Sequence, residues 1–103
     1  MNNTNTIIAP LKGYYRVISN DMAPRILKGD ILITQIVGIN DTMPGYVYVV
    51  KHTTKGRLIR KVADQGKTLL LSTYNKGERP ALEILKSEVL SVARVVELVR
   101  YDI

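Results

Sequence analysis

Asn20-Asp21-Met22-Ala23-Pro24 is followed, after a short spacer, by Lys28-Gly29-Asp30-Ile31-Leu32-Ile33. The Asn-Asp, Pro and Gly-Asp residues of these two segments favour turns, and an apolar run follows them directly. A short apolar run that begins after a turn is typical of a β-strand. We therefore predict a strand over residues 30–35 that opens at the Gly29 turn.

The rest of the chain repeats this pattern of short apolar runs between turn residues. Glycines and prolines separate runs that are rich in Val, Ile, Leu, Tyr and Thr. Many short strands with regular turn signals are typical of an all-β sandwich or barrel. Residues 53–56 predict a hairpin turn between two of these strands. The predicted strands cover residues 14–18, 30–35, 45–51, 57–63, 68–72, 81–85 and 89–100.

The run over residues 89–100 fits two secondary structures. Its valines recur at positions that would also form one stripe on a helix. β-branched side chains lose rotamer freedom in a helix and pack well in a sheet. We therefore predict a strand for this run.

Length and composition limit the classes of function. The 103 residues suffice for one domain, and a hydrophobic fraction of 46% supplies a core. There is no cysteine and one histidine, so we expect no disulfide, no metal site and no cofactor. Nothing resembles a signal peptide or a membrane span, so we expect a cytoplasmic protein without membrane contact. The net charge of +6 permits contact with nucleic acid.

Four motif residues carry a family resemblance: Met22 and Pro24 form Met-x-Pro, and Gly29-Asp30 opens the next strand. Residues 44–50 then form a Pro-Gly turn with a valine-rich strand, and residues 58–62 form a further apolar strand. This ordered series resembles the LexA, UmuD and phage-repressor peptidases, and a related form occurs in signal peptidases. The resemblance implies an all-β, β-ribbon fold, a small partly open barrel, over residues 13–103, with residues 1–12 as an N-terminal leader. It also implies that Gly29-Asp30 is chiefly a structural turn.

The catalytic dyad of the resembled peptidases is replaced in this chain. Their nucleophilic Ser precedes the Met, and a Lys on a later strand takes its proton; Asp21 and Arg60 occupy these positions here. A carboxylate has no hydroxyl proton to give, and arginine stays protonated at any working pH. We therefore expect no catalytic residue, with Asp21 and Arg60 as vestigial dyad positions. We predict that the two side chains pair directly, because a guanidinium on an apolar face needs a partner.

Two other functions stay open at this point. An active peptidase would need an altered dyad of Ser19 and Lys61, although Lys61 should face away from Arg60 on a strand. A basic nucleic-acid-binding β-module would use the six tyrosines together with Lys51, Lys55, Arg57, Arg60 and Lys61. We favour ordinary strand packing for the tyrosines, because no RNA-binding sequence pattern accompanies them.

The resemblance also implies partners. The corresponding domain of LexA-like proteins dimerises, so we predict a homodimer built partly on residues 89–100, whose apolar run would be a hazard as an unpaired edge. A phage-type repressor or another protein is a further expected partner, and direct binding to nucleic acid is not expected. His52, next to the predicted turn, is expected to be exposed.

Overall fold

The computed structural model describes residues 12–74 and 80–101. The fold class is all-β, as predicted, and these residues contain a single 3₁₀ turn, at Lys86–Glu88. The predicted leader lies outside the described residues except for Lys12, which belongs to the first strand. The strands are β1 (Lys12–Arg16), β2 (Ile31–Val37), β3 (Val47–His52), β4 (Gly56–Asp64), β5 (Thr68–Ser72), β6 (Leu82–Leu85) and β7 (Val89–Val99).

All seven strands form one antiparallel sheet in the order β1-β2-β7-β3-β4-β5-β6. Within the described residues β1 and β6 are the two ends of this order and do not pair with each other, so the sheet is not closed. This arrangement agrees with the predicted small, partly open β fold. No helix in the described ranges is long and apolar enough to cross a membrane.

The sheet buries side chains on both of its faces. Tyr48 and Val50 of β3 pack into a first cluster with Leu71 of β5 and Val92 of β7. Val49, between them in sequence, packs into a second cluster on the opposite face. Successive side chains of a strand point to opposite faces, so a strand that is buried on both sides reads as a continuous apolar run. This explains the continuous apolar run over the first four residues of β3, 47–50.

The loop over residues 17–30 covers part of the second cluster. Val17, Met22 and Ile26 are buried there, with Leu32 of β2 beneath them. The Val17 N–H donates to the Asp30 carbonyl, and the Gly29 N–H donates to the Val17 carbonyl, both at 2.8 Å. These bonds close the loop where β1 and β2 meet, so β1 ends at Arg16 rather than at the predicted residue 18.

Strand β7 lies inside the sheet, which corrects one part of the dimer prediction. Its residues from Val89 to Arg94 face β3, and its residues from Val92 to Val99 pair with β2. The run is therefore not a free edge, and the edge argument is wrong for residues 92–94, which pair on both sides, whereas residues 89–91 pair with β3 alone among the described strands. Beyond Arg94, β7 pairs with β2 alone among the described strands.

Two register shifts interrupt β7. The shift against β3 leaves Leu90 without an opposite residue, and the shift against β2 does the same for Val96. A residue inserted in this way leaves the ladder and bends the strand. Leu90 and Val96 are both among the exposed large hydrophobic side chains.

His52 is buried, so the prediction of an exposed side chain is wrong. Its Nδ1 accepts the N–H groups of Thr54 and Lys55, each at 3.1 Å, in the turn that joins β3 to β4. Its Nε2 lies 3.6 Å from a carboxylate oxygen of Glu88. Turn N–H groups need acceptors when they are not solvated, and the imidazole supplies one. The hairpin itself is formed as predicted.

Candidate functional site

A cavity of about 170 Å³ lies between the 17–30 loop and β4. The loop contributes Ser19, Asp21 and Met22 to its wall, and β4 contributes Ile59 and Arg60. The loop reaches β4 because Met22 anchors it in the second cluster. The residues that the family resemblance singled out at the two dyad positions therefore line one cavity.

Asp21 and Arg60 are in contact, which confirms the predicted pairing. An Arg60 guanidinium nitrogen lies 3.4 Å from an Asp21 carboxylate oxygen. A second guanidinium nitrogen donates to the Ile59 carbonyl at 2.8 Å. The Arg60 side chain is 9% exposed and the Asp21 side chain is 18% exposed, so water screens the pair only in part. The contact joins the loop to the central part of the sheet.

Ser19 and Lys61 are not brought together as an alternative dyad. The Ser19 hydroxyl oxygen accepts the Asp21 N–H at 3.5 Å. The Lys61 ammonium lies 4.7 Å from the centre of the Tyr74 ring, and Arg25 lies 5.0 Å from the same ring. Lys61 does not line the cavity that holds Ser19. The period of the strand thus separates the two side chains, as the sequence predicted.

Asp30 has a structural environment that the sequence did not reveal in full. Its carboxylate accepts two bonds of 2.8 Å from the Arg100 guanidinium and one of 2.8 Å from the Leu27 N–H. The Arg100 hydrogen bonds, helped by the Leu27 N–H, lower the pKa of Asp30 even though burial acts to raise it. Gly29 precedes it with a φ of +96°, which favours glycine. Arg100 is the residue that sequence reasoning missed.

The other two motif residues, Met22 and Pro24, lie in the same loop. Met22 is fully buried, whereas Pro24 is exposed and follows Ala23 through a cis peptide bond. Met22 therefore acts as the apolar anchor of the loop. Within the described residues there is no group of three or more side chains that would suit a metal ion.

The tyrosines differ in burial and do not form one packed set. Tyr48 is buried and its hydroxyl oxygen accepts the Met43 N–H at 2.8 Å, which agrees with ordinary packing. Tyr14 and Tyr101 are largely exposed. Tyr15 is half-buried, and the centre of its ring lies 5.9 Å from the central carbon of the Arg57 guanidinium.

Neither a scan against protein-family models nor a search of curated proteins found a match to this chain. The function is therefore inferred from the geometry around Asp21 and Arg60.

Proposed function

We propose that this chain is a catalytically inactive relative of the LexA-type Ser/Lys peptidase domains. In this proposal it acts in dimerisation or regulation, in the cytoplasm, and is linked to a phage-type transcriptional repressor. The observation that supports the proposal is the 3.4 Å contact between Asp21 and Arg60. The resembled families hold their Ser and Lys in contact at these two positions.

The chemistry of the pair argues against peptide hydrolysis. A Ser/Lys dyad needs a hydroxyl nucleophile and a neutral amine that takes its proton. The Asp21 carboxylate has no such proton, and the Arg60 guanidinium does not deprotonate at working pH. An acid and a base in contact instead form a charge-assisted hydrogen bond, which holds the loop on the sheet.

A peptidase assay tests this proposal. We expect the wild-type chain to leave a fluorogenic peptide uncut at mildly alkaline pH, where a dyad lysine would be neutral. The double variant D21S/R60K places the missing groups in the same cavity, and cutting of the peptide by this variant would support the resemblance. Ser19→Ala is the matched control. Wild-type cleavage that disappears in Ser19→Ala would show an altered dyad and would overturn the proposal.

Dimerisation is a separate prediction of the same proposal. We expect a dimeric mass by light scattering at ~100 μM, a concentration about a hundredfold above a ~1 μM dissociation constant. The part of β7 beyond Arg94 is the proposed contact, because β3 does not pair with it. Val96→Lys should therefore yield monomers, since a lysine in an apolar contact is costly.

Leu85→Lys is the matched control for dimerisation. Leu85 is an exposed apolar residue of β6, at the other end of the sheet. Its replacement should leave the dimer intact. A monomeric wild type, or dissociation by Leu85→Lys instead of Val96→Lys, would contradict the proposed contact.

A further inference from the structure

The uncovered part of the second face of the sheet forms a depression of about 210 Å³ across β1, β2, β7, β3 and β4. The 17–30 loop covers the other part of this face. A shallower depression continues from it around Lys55 and shares Tyr15, Lys51 and Arg57 with it. We call this joined surface the basic groove; its main residues are Tyr15, Ile36, Lys51, Lys55, Arg57 and Ser91.

Two cations in the basic groove lie directly opposite each other. The register of the β3–β4 hairpin pairs Lys51 with Arg57, and both side chains are exposed. Like charges at opposite positions of an antiparallel pair destabilise a sheet. On its other side Lys51 has Ser91 of β7 as its neighbour, so neither adjacent strand offers an acid at this position.

The described part of the groove contains no group that neutralises these charges. Of the residues that the structure describes, no Asp or Glu lines either depression, and Lys55 adds a third cation in the hairpin turn. Among the described residues, none of these three cations lies within 4.0 Å of a carboxylate oxygen. An oxyanion placed between Lys51 and Arg57 would remove their repulsion, so the groove has the charge of an anion-binding surface.

Aromatic and apolar groups lie beside the cations. The Tyr15 ring lies next to Arg57, and Tyr14, the preceding residue, is 77% exposed. Ile36 is a further exposed apolar group, and the small residues Gly13 and Ser91 lie nearby. Surfaces that bind single-stranded nucleic acid combine a positively charged groove with aromatic rings on which bases stack.

We propose that the basic groove binds single-stranded nucleic acid. Phosphates lie between Lys51 and Arg57, and bases contact Tyr15 and Ile36. A peptide made only of acidic residues would bind the cations, but it would leave the Tyr15 ring and the Ile36 side chain without an aromatic or apolar partner. The groove does not include the Asp21 or Arg60 side chains, so this function is independent of the proposed LexA relationship.

Fluorescence anisotropy with a labelled oligothymidylate of about 12 nucleotides, within the usual site size of one small domain, tests the proposal. We expect binding that weakens as salt rises. K51Q/R57Q should weaken binding at least tenfold. It should also reduce the slope of log K against log salt by about 1.4, because each phosphate contact on a single strand contributes about 0.7.

K28Q/K67Q is the matched control, since it removes the same charge at two exposed lysines outside the groove. It should weaken binding by less than about twofold. These lysines do not contact the bound strand, so only the small long-range attraction that depends on the net charge is reduced. Thermal unfolding should show K51Q/R57Q to be about as stable as the wild type, since the relief of the repulsion offsets the loss of the Arg57–Tyr15 ring contact. Lys55→Gln, in the exposed turn, is a milder variant and should weaken binding by about threefold.

Four results would overturn the proposal: no binding by the wild type at low salt, an equal loss in K28Q/K67Q, equal competition by polyglutamate, or equal affinity for a duplex of the same length. Equal competition by polyglutamate would identify an acidic peptide as the partner. Equal affinity for the duplex would exclude recognition of unpaired bases.

Discussion

Arg60→Leu is expected to lower the free energy of unfolding by about 3 kcal/mol, because it removes the guanidinium that lies 3.4 Å from the largely buried Asp21 carboxylate. Asp21→Ala should cost less, about 2 kcal/mol, since the Arg60 guanidinium keeps its bond to the Ile59 carbonyl. The double variant should cost less than the sum of the two, with a coupling of about 1–2 kcal/mol. An exposed ion pair would give only about 0–1 kcal/mol.

Urea unfolding of the four proteins measures this coupling. Arg57→Leu is the matched control, since Arg57 is an exposed arginine of the same strand whose ring contact is worth about 0.5–1 kcal/mol. Additive effects of Asp21→Ala and Arg60→Leu would mean that the pair contributes nothing specific. So would a loss in Arg57→Leu as large as that in Arg60→Leu.

Asp30→Ala is the second substitution with a large expected effect. It removes the acceptor of two Arg100 bonds and of the Leu27 N–H, at a carboxylate that is 3% exposed. Arg100 is 44% exposed, so water replaces part of its lost contact. We expect a loss of about 2–4 kcal/mol in the free energy of unfolding. Asp64→Ala is the control, because that carboxylate also bonds a lysine and a backbone N–H but lies nearer the solvent. It should have a much smaller effect.

The stability that Asp30 contributes should disappear in acid. Its pKa is lowered in the folded chain, chiefly by the Arg100 hydrogen bonds, so the unfolded chain binds the proton more tightly. The contribution is complete above the ordinary carboxyl pKa of about 4. It is lost as the pH falls through the lower pKa of the folded state. Unfolding measured from pH 7 to pH 2 should therefore show the wild type and Asp30→Ala converging. Parallel curves would contradict this origin of the stability.

The strands were largely predictable because their signals are local. Strand β5 occupies the predicted residues, and β7 is a strand, as its β-branched content indicates. The position of β7 between β2 and β3 was not predictable, because pairing between distant segments leaves no periodic trace. The edge argument for β7 failed for this reason.

The candidate site was predictable only where a resemblance or a charge rule applied. The Asp21–Arg60 contact was predicted from the resemblance, which places these residues at the two dyad positions, and from the need of a guanidinium for a partner. Arg100 was missed because it is 70 residues from Asp30, and no motif links them. His52 was wrongly predicted to be exposed. Its imidazole accepts two backbone N–H groups of the turn, and no sequence pattern shows such bonds.

The central position of β7 governs the order in which a ribosome can complete this sheet. Of the seven strands, β7 is synthesised last, yet it is the one that joins β2 to β3. Without β7, the strand order divides into a β1–β2 pair and a separate β3–β6 meander, each with an unpaired inner edge. A lone hairpin is marginally stable in water, and open edges invite aggregation. The native sheet therefore cannot be complete before β7 leaves the exit tunnel, and until then β2 and β3 are the edges to protect.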